Sequence, residues 1–459
     1  MQDLTSGPVS RHLLKTASFM LVTMVFQTLY FLVDLYWVGR LGKEAVAAVA
    51  IAGNMQFVVL AASQMLGVGT TTLVAHAAGR KDREQAQLVF KQAQVLAVLV
   101  ASGFFALSFA TREFYIASLS AEGGTAQHAK HYLTWFIPAL ALQFGIVTMS
   151  AALRGTGHFK PGMVVQTWTV ILNMVLAPVL IFGWIGPPMG VGGAALATLV
   201  SVLVGTAWLL LYFLPDSSYL KVAGGGWTPR VALWVKLLKI GLPAGAEFAL
   251  MAVYLFVVYH VIRPFGASAQ AGFGIGQRVI QALFMPVVAL GFSVAPVAGQ
   301  NFGAGMPARV RETYRTALAM ATATMLLFTV LAELSAEPMI RVFSPDGSVI
   351  GVGADYIRIV SWTFVLSGVV FISSSIFQAM GNTIPSLVTS FVRIGLVTVL
   401  AFVLAPRPGF QLRWVWYLSV VSVTVQAALI ALLVRREFRR KLGPERPAPR
   451  PPAERAPAR

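Results

Sequence analysis

One carboxylate, Asp34, stands near the end of an apolar run that begins at Leu13 and carries no other charge except Lys15. Gln27 and Tyr30 precede it at positions i and i+3 to its i+7, which places all three on one face of a helix. An ionised carboxylate in hydrocarbon costs several kcal/mol, so such residues face protein or water and mark ion or substrate pathways. Low dielectric disfavours the charged form of a carboxylate, which equips it to load and release a proton. Glu247 is the second deep acid; it either lines a cavity or pairs with a basic residue such as Arg278 or Arg393. Other chemistry is poorly provided for. There are no cysteines, and the six histidines, including His260, show no metal-ligand spacing on a shared helix. No G-x-x-x-x-G-K-[ST] is present, so the chain does not hydrolyse ATP itself and calls for no cofactor. Protonation, rather than bond-breaking catalysis, is the chemistry these residues suit. A membrane-embedded enzyme is disfavoured, and a channel would need a filter or charged ring that is not visible.

The elements that must position these groups are membrane-spanning helices. Charged residues make up 11% of the chain and apolar residues 57%, with a mean hydropathy of +0.74. Soluble proteins carry about 25% charged residues, so water is not the main solvent. Twelve apolar segments, from 13–38 to 412–434 and including one at 356–378, are each long enough to cross about 30 Å of hydrocarbon. The first is too long for a signal peptide and lacks a small-residue cleavage site. With the N-terminus placed in the cytoplasm, Lys and Arg number 24 on that side and 9 on the other. That bias predicts cytoplasmic termini, and it makes the net charge of +18 a report of topology rather than of a nucleic-acid partner. The basic, Pro-rich stretch 441–459 cannot build a core and reads as a disordered tail near anionic lipid.

Sliding the sequence against itself by 224 residues gives 25 identities over residues 13–161. Tyr30 falls on Tyr254, Gly79 on Gly303, Tyr132 on Tyr356, and Gly157 and Pro161 on Gly381 and Pro385. The chain therefore divides into an N-terminal six-helix bundle (1–215), a cytoplasmic linker (216–236) and a C-terminal six-helix bundle (237–440). Six is even, so the repeats enter the membrane from the same side and are related by a pseudo-two-fold axis along its normal. Two such bundles rocking about a central site define many secondary transporters. Gly241 with Gly245, and Ser63 with Gly67, are small-residue pairs that permit close helix approach. Gly79 to Asp82 and Gly299 to Gly305 read as helix-end turns that keep each bundle compact.

Several stretches resemble the multidrug and toxic compound extrusion (MATE) family: VDLYWVGRLG closing helix 1, AHAAGRKD closing helix 2, and GQNFGAG in the second repeat. LRGTGHFKPG before helix 5, GVGGAALAT opening helix 6, GLPAG in helix 7 and FQAMGNTIPS complete the set. The resemblance covers nearly all twelve helices. It implies a V-shaped pair of bundles in a bacterial inner membrane. Protons or, less readily, sodium would enter as small, amphipathic, usually cationic organic compounds leave, with no ATPase subunit. By the same resemblance, Asp34 binds the coupling ion and Gln27, Tyr30, Tyr132 and Asn173 line the N-terminal cavity, with Asn173 placed to share the coupling ion and sodium a candidate at that pair; Glu247, one turn before a glutamate of some members, either lines the cavity or pairs with a basic residue. Two departures stand out. Ala177 occupies the place of a helix 5 acid common in bacterial members, and helix 1 lacks a proline in its first half. A flippase for lipid-linked saccharides shares the architecture, but its pyrophosphate-binding cavity would need several Arg or Lys, and only Arg278 and Arg393 lie within spans.

Overall fold

The computed structural model describes residues 1–119, 123–215 and 218–444. Residues 445–459, most of the predicted tail, lie outside the described residues. In lipid every backbone polar group must be satisfied within the segment, so long apolar runs become helices. The described chain is all-α apart from turns and one short 3-10 turn, with thirteen α-helices and no strand. Eleven are long and apolar enough to span a membrane, and a bent pair supplies a twelfth.

The N-terminal half contains α1 (Val9–Gly39), α2 (Lys43–Gly79), α3 (Arg83–Leu119), α4 (Gly123–Gly155), α5 (Phe159–Phe182) and α6 (Val191–Tyr212). The C-terminal half contains α7 (Val231–Ile262), α8 (Ala267–Gly303), α9 (Pro307–Arg341), α10 (Gly347–Ser361), α11 (Phe364–Ala379), α12 (Ile384–Leu404) and α13 (Leu412–Leu442). The offset of 224 seen in the sequence returns in the elements: α2 and α8 begin and end at positions 224 apart, and so do α4 and the α10–α11 pair. Gly42 and Gly266, one offset apart, precede α2 and α8 at φ of 103° and 90°. A side chain there would be strained, which is why the same turn retains glycine in both repeats.

The segment expected as one span at 356–378 is instead broken. It forms the end of α10 and then α11, which meet at 59° across Trp362 and Thr363. The repeat mate of Trp362 is Pro138, which α4 accommodates within one unbroken helix. The first six residues of helix α7, 231–236, extend into the stretch read as linker. Residues 223–228 of that stretch are strapped to α3: Lys91 donates to the carbonyls of Ala223 (2.7 Å) and Gly225 (2.8 Å), and Gln92 to those of Gly226 and Thr228.

Packing crosses the covalent boundary in a reciprocal way. Val9 and Leu13, in the first turns of α1, belong to the buried cluster of the C-terminal half. Their repeat mates Leu233 and Leu237, in the first turns of α7, belong to that of the N-terminal half. Each half thus lends the start of its first helix to the other. Helices α2 and α7 also meet closely, since a Cβ on Gly241 would strike the Met65 carbonyl and one on Gly69 the Leu237 carbonyl. The repeat pair Gly79 and Gly303 touches across the halves as well, against the carbonyls of Gln300 and His76. These turns therefore seal one half to the other, where the sequence had suggested compaction within each bundle. Every described hydrogen bond between the halves lies at this end of the molecule. His76 Nε2 meets the Ala379 carbonyl at 2.6 Å, and its mate Gln300 donates to the Gly155 carbonyl at 3.0 Å. Leu4, fully buried, is held by Gln300 and Asn301.

Candidate functional site

Within the N-terminal half, α1, α4 and α5 bring four of the sequence-predicted polar residues, Tyr30, Asp34, Tyr132 and Asn173, toward one pocket around α6. Asn173 on α5 and Tyr132 on α4 are buried, and Tyr30 and Asp34 on α1 are half-buried. Asp34 lies within electrostatic reach of both tyrosine hydroxyls. The hub is a residue the sequence reading passed over, Thr198 on α6. Its Oγ1 accepts from Asn173 Nδ2 at 3.1 Å and donates to the Ala194 carbonyl at 3.2 Å. The Tyr30 hydroxyl, 3.1 Å from the same oxygen, is left to donate to it. Thr198 closes the GVGGAALAT stretch, and a hydroxyl two turns into a mostly apolar helix was the available signal.

Asp34 is different. Its Oδ1 is buried and has no hydrogen-bond partner. Asn173 turns its amide to Thr198, and no described hydrogen bond joins it to Asp34. Gln27 is exposed and makes no described hydrogen bond. Glu247 is not brought to this pocket. It lies half-buried on α7 in the other half, with no described ion pair to Arg278 or Arg393. Beside it, an apolar crevice of about 480 Å³ between α7 and α12 is lined entirely by Ala, Leu, Val and Phe.

The second half repeats the aromatic frame without the acid. Tyr254 bonds Ser419 at 3.0 Å, and Tyr356 donates to Gln277 at 2.5 Å. The positions matching Asp34 and Asn173 are Val258 and Val397. Arg393 lies 5.2 Å over the Tyr254 ring with its Nε buried and unpartnered, and the pairing with Glu247 that the sequence offered is not among the described ion pairs. A second unexpected cation is Arg154. Read from sequence as a loop charge, it lies in the last turn of α4 and lines a cavity between the halves.

Two matched helical bundles, spanning by length and composition, with one polar pocket and a seam at one end, define a polytopic membrane transporter. The chain belongs to the MatE family, whose sequence profile matches residues 20–179 and 243–403, one stretch in each repeat. It is 26% identical over 396 residues to a FAD transporter of Shewanella oneidensis, covering 86% of this chain and 87% of that one. It is 24% identical to the probable multidrug resistance protein NorM of Thermotoga maritima, covering 92% and 91%. Among solved structures, MATE in the bent conformation superposes with a TM-score of 0.90 at 23% identity over 96% of this chain and 97% of that one. An outward-facing multidrug resistance MATE transporter of the MOP superfamily superposes at 0.88, with 23% identity over 95% and 97%.

Proposed function

We propose that the protein is a proton-driven antiporter that exports amphipathic organic cations by alternating access, with Asp34 as the coupling carboxylate. The observation that carries this reading is the unpartnered, buried Oδ1 of Asp34, beside Tyr30, Thr198 and Asn173, which bond one another instead. A carboxylate oxygen in that position is costly when ionised and alone. A proton relieves the cost, and so does a cationic substrate, which makes the two exclusive occupants of one site. Exclusive occupancy is what an exchanger requires. The proton is preferred to sodium because a compact sodium site takes several oxygens, whereas Ala177 withholds a second carboxylate from α5. Release of bound sodium by drug at clamped pH would overturn that preference.

With cytoplasmic termini in a bacterial inner membrane, the sealed end faces the cytoplasm. The relatives are named for drug resistance and for FAD, so family membership leaves the substrate class open. The test is export of a fluorescent organic cation into inside-out vesicles under an imposed pH gradient, comparing wild type with Asp34→Asn. Loss of gradient-driven transport with binding retained supports the assignment. Normal transport by the variant would reduce Asp34 to a headgroup-level residue and move coupling to Glu247.

A further inference from the structure

Residues 1–8, ahead of α1, form a non-helical strap across the sealed end. Leu4 is fully buried, whereas Asp3, Ser6, Gly7 and Pro8 are exposed, so the strap lies in a groove with its outer face uncovered. Both repeats build that groove. On one wall, the Gln2 amide donates to the Thr156 carbonyl at 3.0 Å, in the turn between α4 and α5. On the other, the last turn of α8 takes up both backbone groups of Leu4. Its amide donates to Gln300 Oε1 at 3.1 Å, and its carbonyl accepts from Asn301 Nδ2 at 3.2 Å. Arg309 on α9 donates to the Gly7 carbonyl and to Asn301 Oδ1, both at 2.9 Å.

The repeat mates Gly157 and Gly381 reveal what the strap replaces. Both have positive φ, 80° and 69°, and each leaves a slot where a side chain would stand. Helices fill the Gly381 slot: a Cβ there would lie 3.5 Å from the His76 ring, 3.6 Å from Ile240 and 3.9 Å from Thr72. The strap fills the Gly157 slot: a Cβ there would lie 2.7 Å from the Gln2 carbonyl oxygen and 3.2 Å from Leu4 Cγ. One side of the seal is thus made by helix ends, and the other is closed by a segment that no bundle encloses. The strap is held unequally. Leu4 joins the buried cluster of the second half, and side chains of α8 and α9 bond the backbone of Leu4 and Gly7. The first half holds it by the Thr156 carbonyl and the Gly157 slot.

We propose that residues 1–8 are a latch of the sealed state: the halves part at this end only after the strap leaves Thr156 and Gly157, and it leaves with the second half. This rests on the alternating-access part of the export reading and on no choice of substrate or coupling ion. Release breaks one backbone hydrogen bond and draws Leu4 from its slot, so the latch opens without unfolding a helix. Full burial of a leucine side chain shifts a two-state equilibrium by about tenfold to a hundredfold. A bias of that size decides which state predominates and leaves the other within reach of a ligand.

The test follows opening of the seam in the full chain in lipid nanodiscs, by the rate at which a maleimide labels Thr72→Cys in a protein with no native cysteine. Thr72 is buried at the seam, where its hydroxyl donates to the Gln378 carbonyl of the other half at 3.0 Å. Leu140→Cys, fully buried in the core of the first bundle, reports general loosening instead. Leu4→Ala should speed labelling at position 72 by about tenfold, and removal of residues 2–6 should speed it further. Labelling at position 140 should stay slow in both. Unchanged labelling at position 72 in Leu4→Ala overturns the latch. Equal acceleration at both positions does so too, since the strap would then be a structural prop. Leu4→Ala decides the matter even if the shortened chain fails to fold. Gradient-driven export by the wild type, measured separately, continues if only the latch is wrong and fails if the export reading is wrong.

Discussion

At the scale of single residues, the pocket of the N-terminal half is organised by a hydroxyl rather than by a charge. Thr198 takes hydrogen bonds from Tyr30 and Asn173 and so fixes two of the side chains around Asp34. Thr198→Val preserves the side-chain shape and removes both acceptor sites. The expected loss is about 1–3 kcal/mol for each buried group left unpaired, read as a fall in thermal unfolding temperature together with slower export. Competition between proton and drug at Asp34 also has a definite sign. Drug binding should tighten as pH rises, by up to about tenfold per pH unit where one proton is displaced, and should be flat with pH in Asp34→Asn. Equilibrium binding of the rhodamine B ethyl ester across a pH series measures this. The acid was legible in the sequence because a carboxylate in an apolar run is conspicuous. Thr198 was not, because hydroxyls are common in membrane helices and only the fold reveals which one collects partners. Arg154 was hidden for another reason: at a helix end, a charge reads as part of the loop.

At the scale of elements, apolar length dictated the helices and the repeat offset dictated their pairing, so spans and bundles could both be read from the chain. The break at Trp362–Thr363 could not, since neither residue is a proline or a glycine and the apolar run continues through it. The seam between α2 and α7 was half legible. The Gly241/Gly245 pair announced a close approach, but its partner on α2 emerges only in three dimensions. Because a Cβ on Gly241 would strike the Met65 carbonyl, Gly241→Ala should disfavour the sealed state. The chain has no cysteine, so a single Thr72→Cys reports the seam cleanly. Its labelling by a maleimide added from the N-terminal side should accelerate in the Gly241→Ala background, whereas an unchanged rate would mean that α2 and α7 stay together throughout the cycle.

At the scale of the whole molecule, the sealed end is a set of reciprocal contacts about the axis, which makes it a natural place to arrest motion. Ala75 and Gly299 are repeat mates that face each other, and a Cβ at 299 would lie 3.0 Å from that of Ala75. Disulfides span about 3.5–4.5 Å between Cβ atoms, so a slight outward shift admits a bridge between Ala75→Cys and Gly299→Cys. Oxidation of that double variant should stop export and reduction should restore it. Transport by the fully oxidised protein would show that the two halves do not part at this seam.

The exchange of first turns, Val9 and Leu13 into one core and Leu233 and Leu237 into the other, has a consequence for how the molecule is made. When the ribosome has delivered α1 to α6, the first bundle lacks the leucines that complete its core, and Val9 and Leu13 lack the core they join. Both wait for the second repeat. The nascent chain thus holds an unfinished bundle in the bilayer until α7 and α8 arrive, and the two halves reach their final packing together although they are synthesised in sequence. Cut into two genes, the halves would have to meet in the membrane while each was still open.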